Sequence, residues 1–330
     1  MAATPESLSE KLDTLYSSTW NLMREESIDN IFGATPFWYW MSKKGRVRTE
    51  GGGRWIGLPL MYAKNTTVAS LAPGGTVDIG NTDPNTVAKY DWKLLAGSVV
   101  RLHSDDTENT GKDAIMSMMQ TKLKNLELSL IDALETQVNG DGSGNAGKDI
   151  LGIQSIVKND PTANPGSPPG NIGGIDAANT WWRNQTRTYD VTGMLSGDVG
   201  ILFNMRKVYN AASVGNDHPT LILTDTATYE LYEASLTSIL KPVDTDMNDA
   251  GFEALRYKGC AITFSPSSPA GEARFLNERY LEFVANSKAY FEMTDWKPIP
   301  NQLDRVAQVV VKGNLVCSNR RMQAVLHTIA

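Results

Sequence analysis

The sequence predicts an α+β fold that carries a long extended excursion outside its core. Three features predict it. A glycine-studded extended stretch of about sixty residues runs into one long amphipathic helix within residues 45–139. A mixed run of helical and strand-like segments follows from residue 196, and two strand-like runs close the chain.

Taken in order, the first marked feature is IFGATPFWYWM, residues 31–41, which sets four aromatic side chains beside a proline. Large aromatics serve either a core or an interface, so Phe37, Trp38 and Trp40 are candidate contacts between copies, with burial in the chain's own fold as the other reading. Next come five cations, Lys43, Lys44, Arg46, Arg48 and Arg54, against the single acid Glu50. Residues 105–139 carry the opposite balance, seven acids to three lysines, which suggests complementary contacts between copies. The cluster is too short, and too poor in interleaved aromatics, to read as a nucleic-acid site.

Arg54–Ala63 and Tyr90–His103 read as strands, and the stretch between them is rich in Gly, Pro, Asn and Asp. A hairpin of that length has too few large apolar residues to fold over a core of its own, so it is expected to lie on another copy. In the helix that follows, Ile115, Met119, Leu123, Leu126, Leu130, Leu134 and Val138 share one stripe. Thr110 and Asp113 form a capping box and Gly140 stands at the stop, which gives a helix of roughly 28 residues and about 42 Å. Leu126 and Leu130 are predicted core, packed against the closing strands 306–329.

Residues 159–179 form a Pro/Gly/Asn-rich loop. Beyond it Ser196 is expected to cap a helix with Val199, Leu202, Met205, Tyr209 and Ala212 on one stripe. Leu221–Thr224 reads as a buried strand, and Asp225 opens a helix through Tyr232, Leu236 and Ile239. Ala261–Phe264 and Leu281–Ala285 add strands. Val306–Cys317 and Arg321–Ile329 are expected to pair as a terminal hairpin about Ser318-Asn319.

Catalytic signatures fail. Residues 142–148 fit G-x-x-x-x-G-K, but Asp149 stands where a magnesium-binding hydroxyl is needed, and the motif follows a helix instead of a strand. Asn139, Asp141, Ser143 and Gly144 mimic a calcium loop, yet its twelfth position is Ile150. His103, His218 and His327 have no paired-ligand spacing, and no G-x-S-x-G elbow is present. Asp244, Asp246, Asp249 and Glu253 read as a solvated loop. Cys260 and Cys317 sit in apolar strand contexts and read as buried thiols. No catalytic, cofactor or metal site is therefore expected. The N-terminus has no signal pattern and no apolar run approaches membrane-spanning length, so the chain is expected in a cytosol without a membrane role. A net charge of −6 with interspersed signs favours solubility and argues against a broad nucleic-acid grip.

The order of these parts, with the closing run VVVKGNLVCSNRRMQAVL at residues 309–326, resembles the Hong Kong 97-type major capsid protein of tailed double-stranded-DNA bacteriophages. The resemblance implies an N-terminal arm at 1–44 and an extended E-loop hairpin at 45–104. It implies a peripheral domain from 105–146 with 296–330, carrying the long spine helix, and an α/β axial domain at 147–295. It implies a structural, non-enzymatic subunit that assembles with itself into hexamers and pentamers of an icosahedral head, built in a host cytoplasm and carried in the virion. Separate scaffolding, portal and cementing proteins are the implied partners, and double-stranded DNA is enclosed without sequence-specific binding. Only about forty residues precede the hairpin, so a separate scaffold or none is expected. Some members join a hairpin lysine to a neighbour's asparagine; Lys64 or Lys89 with Asn314 or Asn319 are the crude counterparts, without a framing motif. The competing readings are an encapsulin-like compartment and a nucleotide-binding enzyme using loop 141–149.

Overall fold

The computed structural model describes residues 36–81, 83–103, 118–162, 171–195, 199–236 and 254–329. Thr110, Ile115 and Ser196, the loop acids at 244–253 and most of the predicted arm lie outside them. Contacts divide the chain into two compact units. Among the described residues, one comprises 96–103, 118–132 and 291–310, and the other comprises 36–95, 133–290 and 311–329.

The second unit is centred on a six-stranded sheet. Its strands are β5 (Gln185–Thr188), β6 (Leu221–Thr224), β7 (Leu255–Tyr257), β8 (Cys260–Phe264), β9 (Ala273–Leu276) and β13 (Ala324–His327), in the order β5-β13-β9-β6-β8-β7. β6 and β9 are buried along their whole length, as expected of central strands covered on both faces. Helix α3 (Gly200–Ala212) lays Ile201, Met205, Val208, Tyr209 and Ala212 on this sheet, and α4 (Thr226–Ser235) adds Tyr229 and Tyr232. Of the predicted first stripe Met205, Tyr209 and Ala212 are buried and Leu202 is partly so, while Val199 precedes the helix and is exposed; of the second, Tyr232 is buried, Leu236 is partly so, and Ile239 lies outside the described residues. The second helix stops at Ser235, short of the expected Ile239.

The same unit holds α1 (Pro36–Lys43), with proline at the first helical position where its missing N–H costs nothing. β1 (Val47–Glu50) then runs parallel to β10 (Leu281–Met293), with Val47 opposite Phe283. β10, β12 (Arg305–Cys317) and β11 (Lys297–Pro298) continue that sheet, and β4 (Lys93–Arg101) pairs with β12. Strands β4, β10 and β12 and the long helix α2 (Met118–Asn139) contribute residues to both units.

Two expectations are corrected. Tyr90–His103 is two strands: β3 (Asn85–Tyr90) returns the hairpin, and β4 belongs to another sheet. The break falls where the Asn314 side chain donates to the Asp91 carbonyl and the Trp92 indole donates to the Gly53 carbonyl. The closing runs do not form a hairpin. After β12 a single turn at Arg320–Met322 draws the Arg320 guanidinium into the core, and β13 then pairs parallel with β5 and antiparallel with β9. Of the predicted core pair on α2, Leu130 is buried and Leu126 half-buried, and both lie against β4. A methyl placed on Gly97 would lie 2.5 Å from Leu126 Cδ1 and 3.5 Å from Leu130 Cδ2, so the bare glycine lets helix and strand close together.

Candidate functional site

The hairpin is the most informative surface. β2 (Ile56–Met61) pairs antiparallel with β3 in unbroken register from Ile56↔Tyr90 to Met61↔Asn85. Alternation puts Ile56, Leu58, Leu60, Ala88 and Tyr90 on one face, where they pack with Ile172, Ile175, Trp182, Val284 and Val316. The Tyr90 hydroxyl donates to the Cys317 carbonyl at 2.7 Å, which fastens the base to β12. The hairpin base therefore has a core in its own subunit, against the expectation from sequence. Gly57, Pro59 and Met61 face outward, and Pro59 suits a strand at a sheet edge.

Past the bond from Tyr62 N to the Pro84 carbonyl the hairpin changes character. Asn65, Asp78 and Asp83 each accept from a backbone amide two residues on, so local turns replace strand pairing. The apolar side chains of this tip stand open: Val68 is 82% exposed and Ile79 94%, with Val77 and Leu71 exposed to a smaller degree. A run of exposed β-branched residues on an excursion without a core is the pattern of a surface that another chain covers.

The aromatic candidates divide. Phe37 and Trp40 are buried, and Trp38 packs edge-on against Phe283 at 5.0 Å. Burial leaves Phe37 and Trp40 no surface to offer a neighbour; they serve the subunit core. The cations divide likewise. Arg48 pairs with Glu50 at 2.9 Å and Glu282 at 3.5 Å, Lys44 lies 3.9 Å from Glu278, and Arg46 Nε is buried with no hydrogen-bond partner. Lys43 lies over the Tyr39 ring, while Arg54 and Lys89 flank the exposed Trp55 ring at 5.6 and 5.0 Å. Lys64 is exposed where the tip begins. Arg54, Lys89 and Lys64 thus gather at the hairpin, whereas Arg48 and Lys44 are matched by carboxylates inside the subunit.

Asn314, a crude counterpart for covalent joining, is buried and bonded at both ends of its amide: the side-chain carbonyl accepts from Leu151 N and Leu315 N, and the nitrogen donates to the Asp91 carbonyl. That is the bonding of a structural residue. Loop 141–149 lines a cleft of about 750 Å³ with Lys89, Lys93 and Asn314. Its amides are spent on the loop itself, Ser143 N on Asp141, Gly147 N on Ser143 and Asp149 N on Gly144, and they do not converge on an anion. The hydrogen bonds from Ser143 hold the Asp141 carboxyl below its ordinary range.

Both thiols are buried, and burial pushes Cys260 and Cys317 up to about 12. Among the described residues no His, Cys, Asp and Glu side chains gather as a metal set, and no helix is long and apolar enough to cross a membrane. Sequence reasoning missed the buried polar residues Glu135, Asn184, Asn204 and Arg320. Only Glu135 leaves a signal, since it and Asn139 stand four apart along the edge of the Leu130–Leu134–Val138 stripe.

No family model matches this sequence, and no curated protein matches it. Solved structures do. The capsid asymmetric unit of cyanophage A-1(L) is similar at 15% identity and a TM-score of 0.65, over 93% of this chain and 96% of that one. The capsid of a native GTA particle gives 9%, 0.59, and 92% and 94%. The holo-SrpI encapsulin complex from Synechococcus elongatus PCC 7942 gives 10%, 0.57, and 99% and 96%.

Proposed function

With a chain that has the Hong Kong 97-type capsid fold over nearly its whole length as the premise, we propose that it is the major capsid protein of a tailed double-stranded-DNA bacteriophage. It is a structural subunit, not an enzyme. Many copies close into an icosahedral head as hexamers and pentamers, with DNA enclosed inside and no sequence read from it. The observation that carries this reading is the hairpin tip, whose valines, leucine and isoleucine stand exposed while its base is locked into a core. A neighbouring copy supplies that cover.

In this reading residues 1–44 serve as the arm and 45–104 as the extended loop. The spine helix within 105–146 and the strands after 296 serve as the peripheral domain, and the sheet within 147–295 as the axial domain, with β13 completing it. Among the candidate contacts, Arg54, Lys64 and Lys89 stand exposed at the hairpin where a neighbour would meet them. Scaffolding, portal and cementing proteins are the expected further partners, and the virion is the destination.

Electron microscopy of the purified protein tests self-assembly, and nuclease-protected nucleic acid in particles from its native source tests the contents. Closed icosahedral shells holding double-stranded DNA are expected. Shells holding a protein cargo and no DNA would assign the chain to the compartment reading that the encapsulin likeness supports. A soluble monomer that releases heat with nucleotides would favour the enzyme reading.

A further inference from the structure

The buried row of β2 continues one step past the strand. Side chains two apart share a face, so Tyr62 stands next in the row Ile56, Leu58, Leu60, at the rim of the core those three reach. The following member, Lys64, is charged and exposed, and the row ends there. Tyr62 is also where the last cross-chain backbone bond runs, from its amide to the Pro84 carbonyl, before local turns take over. Whatever holds Tyr62 thus sets the direction in which the tip leaves the subunit.

Two side-chain contacts hold it. Its ring stacks on the Trp181 ring, with centroids 5.4 Å apart and planes at 29°. Its hydroxyl donates to the Asp83 carbonyl at 3.1 Å, which ties the outgoing chain to the returning one. Trp181 is itself anchored, since it packs against the core of the hairpin base and lies 5.7 Å from the Trp182 ring. Trp182 is 1% exposed, and its indole donates to the Ile172 carbonyl at 2.9 Å. A line of rings therefore runs from the core to the root of the tip. The Tyr62 ring at its end is 43% exposed, so burial holds it less firmly than it holds Leu60, and the stack makes the difference.

We propose that the Tyr62–Trp181 stack is a latch that aims the hairpin tip: closed, it holds the tip in one direction on the subunit; open, it frees the tip to swing about the last rung at Tyr62 and Pro84. An aimed tip loses less conformational freedom when another chain covers it, so the latch lowers the ordering cost of that contact. The latch belongs to the single subunit, and only its service to shell assembly rests on the capsid reading.

Spin labels on the full unassembled chain at Thr49→Cys, on β1, and Ser70→Cys, in the tip, test the latch by double electron–electron resonance. Cys260 and Cys317 are buried, so the introduced thiols take the labels. With Tyr62 and Trp181 intact, a narrow distance distribution is expected. Tyr62→Ala or Trp181→Ala is expected to broaden it, the population away from the main distance rising about two- to tenfold, the range that one aromatic pair covers. Tyr62→Phe keeps the ring and is expected to stay narrow. A second pair, Thr49→Cys with Val87→Cys, reports the hairpin base and is expected to stay narrow in every variant. An intact tip distribution as broad as that of Tyr62→Ala, a Phe variant as broad as the Ala variant, or broadening of both pairs alike overturns the latch. Should Trp181→Ala not fold, Tyr62→Ala decides by itself. Where the wild type forms shells, Tyr62→Ala is expected to form them at least about twofold more slowly. An unchanged rate would overturn the role in assembly, whereas a wild type that forms no shells counts against the capsid reading and leaves the latch to the label distances.

Discussion

At the residue scale, the most consequential side chain is Arg320. It is 1% exposed, donates from Nε to the Ile156 carbonyl at 2.7 Å and from a terminal nitrogen to Asn184 Oδ1 at 3.2 Å, and lies near the Tyr90 hydroxyl and the Cys317 thiol. The charge is desolvated, which lowers its pKa, and it is held by oxygen dipoles instead of a carboxylate. It ties the turn after β12 to the segment 153–158 and to Asn184, whose Oδ1 also accepts from Lys158 N. Arg320→Met is therefore expected to destabilise the unassembled subunit by about 3 kcal/mol, read as a lower urea midpoint, because buried acceptors lose charged donors. Arg320→Lys keeps the charge but not the planar fork and is expected to be almost as damaging. Full rescue by lysine would show that the core needs only the charge.

At the element scale, the hairpin and the long helix make different demands. The hairpin's register ends at Met61↔Asn85 and its last cross-chain backbone bond runs from Tyr62 N to the Pro84 carbonyl, so residues 64–82 can be replaced by an Asn-Gly turn without touching β2 or β3. That variant is expected to stay soluble, to melt within about 1 °C of the wild type, and to form no shells, because the removed residues contribute nothing to the subunit core. Normal shells would make the tip dispensable and remove the observation on which the capsid reading chiefly rests. A larger deletion reaching Val87 would cut into β3 and blur the result. On α2 the packing is graded. Leu130→Ala is expected to cost about 2–5 kcal/mol through lost contacts and a cavity beside Gly97. Leu126→Ala, at a half-buried position, is expected to cost less. Thermal melting of both variants checks the order; equal melting with lost assembly would place the stripe against a neighbouring subunit.

At the scale of the whole molecule, the charge asymmetry of the sequence is redistributed by the fold. Reversing Arg48 would set a new acid beside Glu50 and Glu282 and injure the subunit itself, so it is a poor probe of assembly. Arg54 and Lys89, which flank Trp55 at the hairpin, are better placed. Arg54→Glu with Lys89→Glu is expected to leave subunit melting nearly unchanged, since exposed charges contribute at most about 1 kcal/mol, while assembly yield falls and its salt dependence changes sign. Light scattering across a salt series measures it. Unaltered yield at every salt concentration would exclude this face from inter-subunit contact.

Several parts were legible in the sequence because the code for them is local. The stripe Leu130–Leu134–Val138 states a helical period that fixes which face is buried, and the short apolar run Leu221–Thr224 states a strand covered on both faces. The failed chemistry of loop 141–149 was legible for the same reason, since a phosphate loop needs a strand before it. What tertiary structure alone decided is which partner each element takes. β13 has the composition of a hairpin strand, but Arg320 finds its oxygens in segments more than a hundred residues away and turns the chain into another sheet. Tyr90 and Lys93 look like one strand until Asn314 and Gly53 claim the residues between them. Phe37 and Trp40 suit an interface or a core equally well by composition, and Glu135, an acid on a helix of mixed polarity, gives no local sign that α1 will close over it. Burial and hydrogen-bond satisfaction are properties of the assembled neighbourhood, so pattern can predict that a surface is covered while only the fold determines by what.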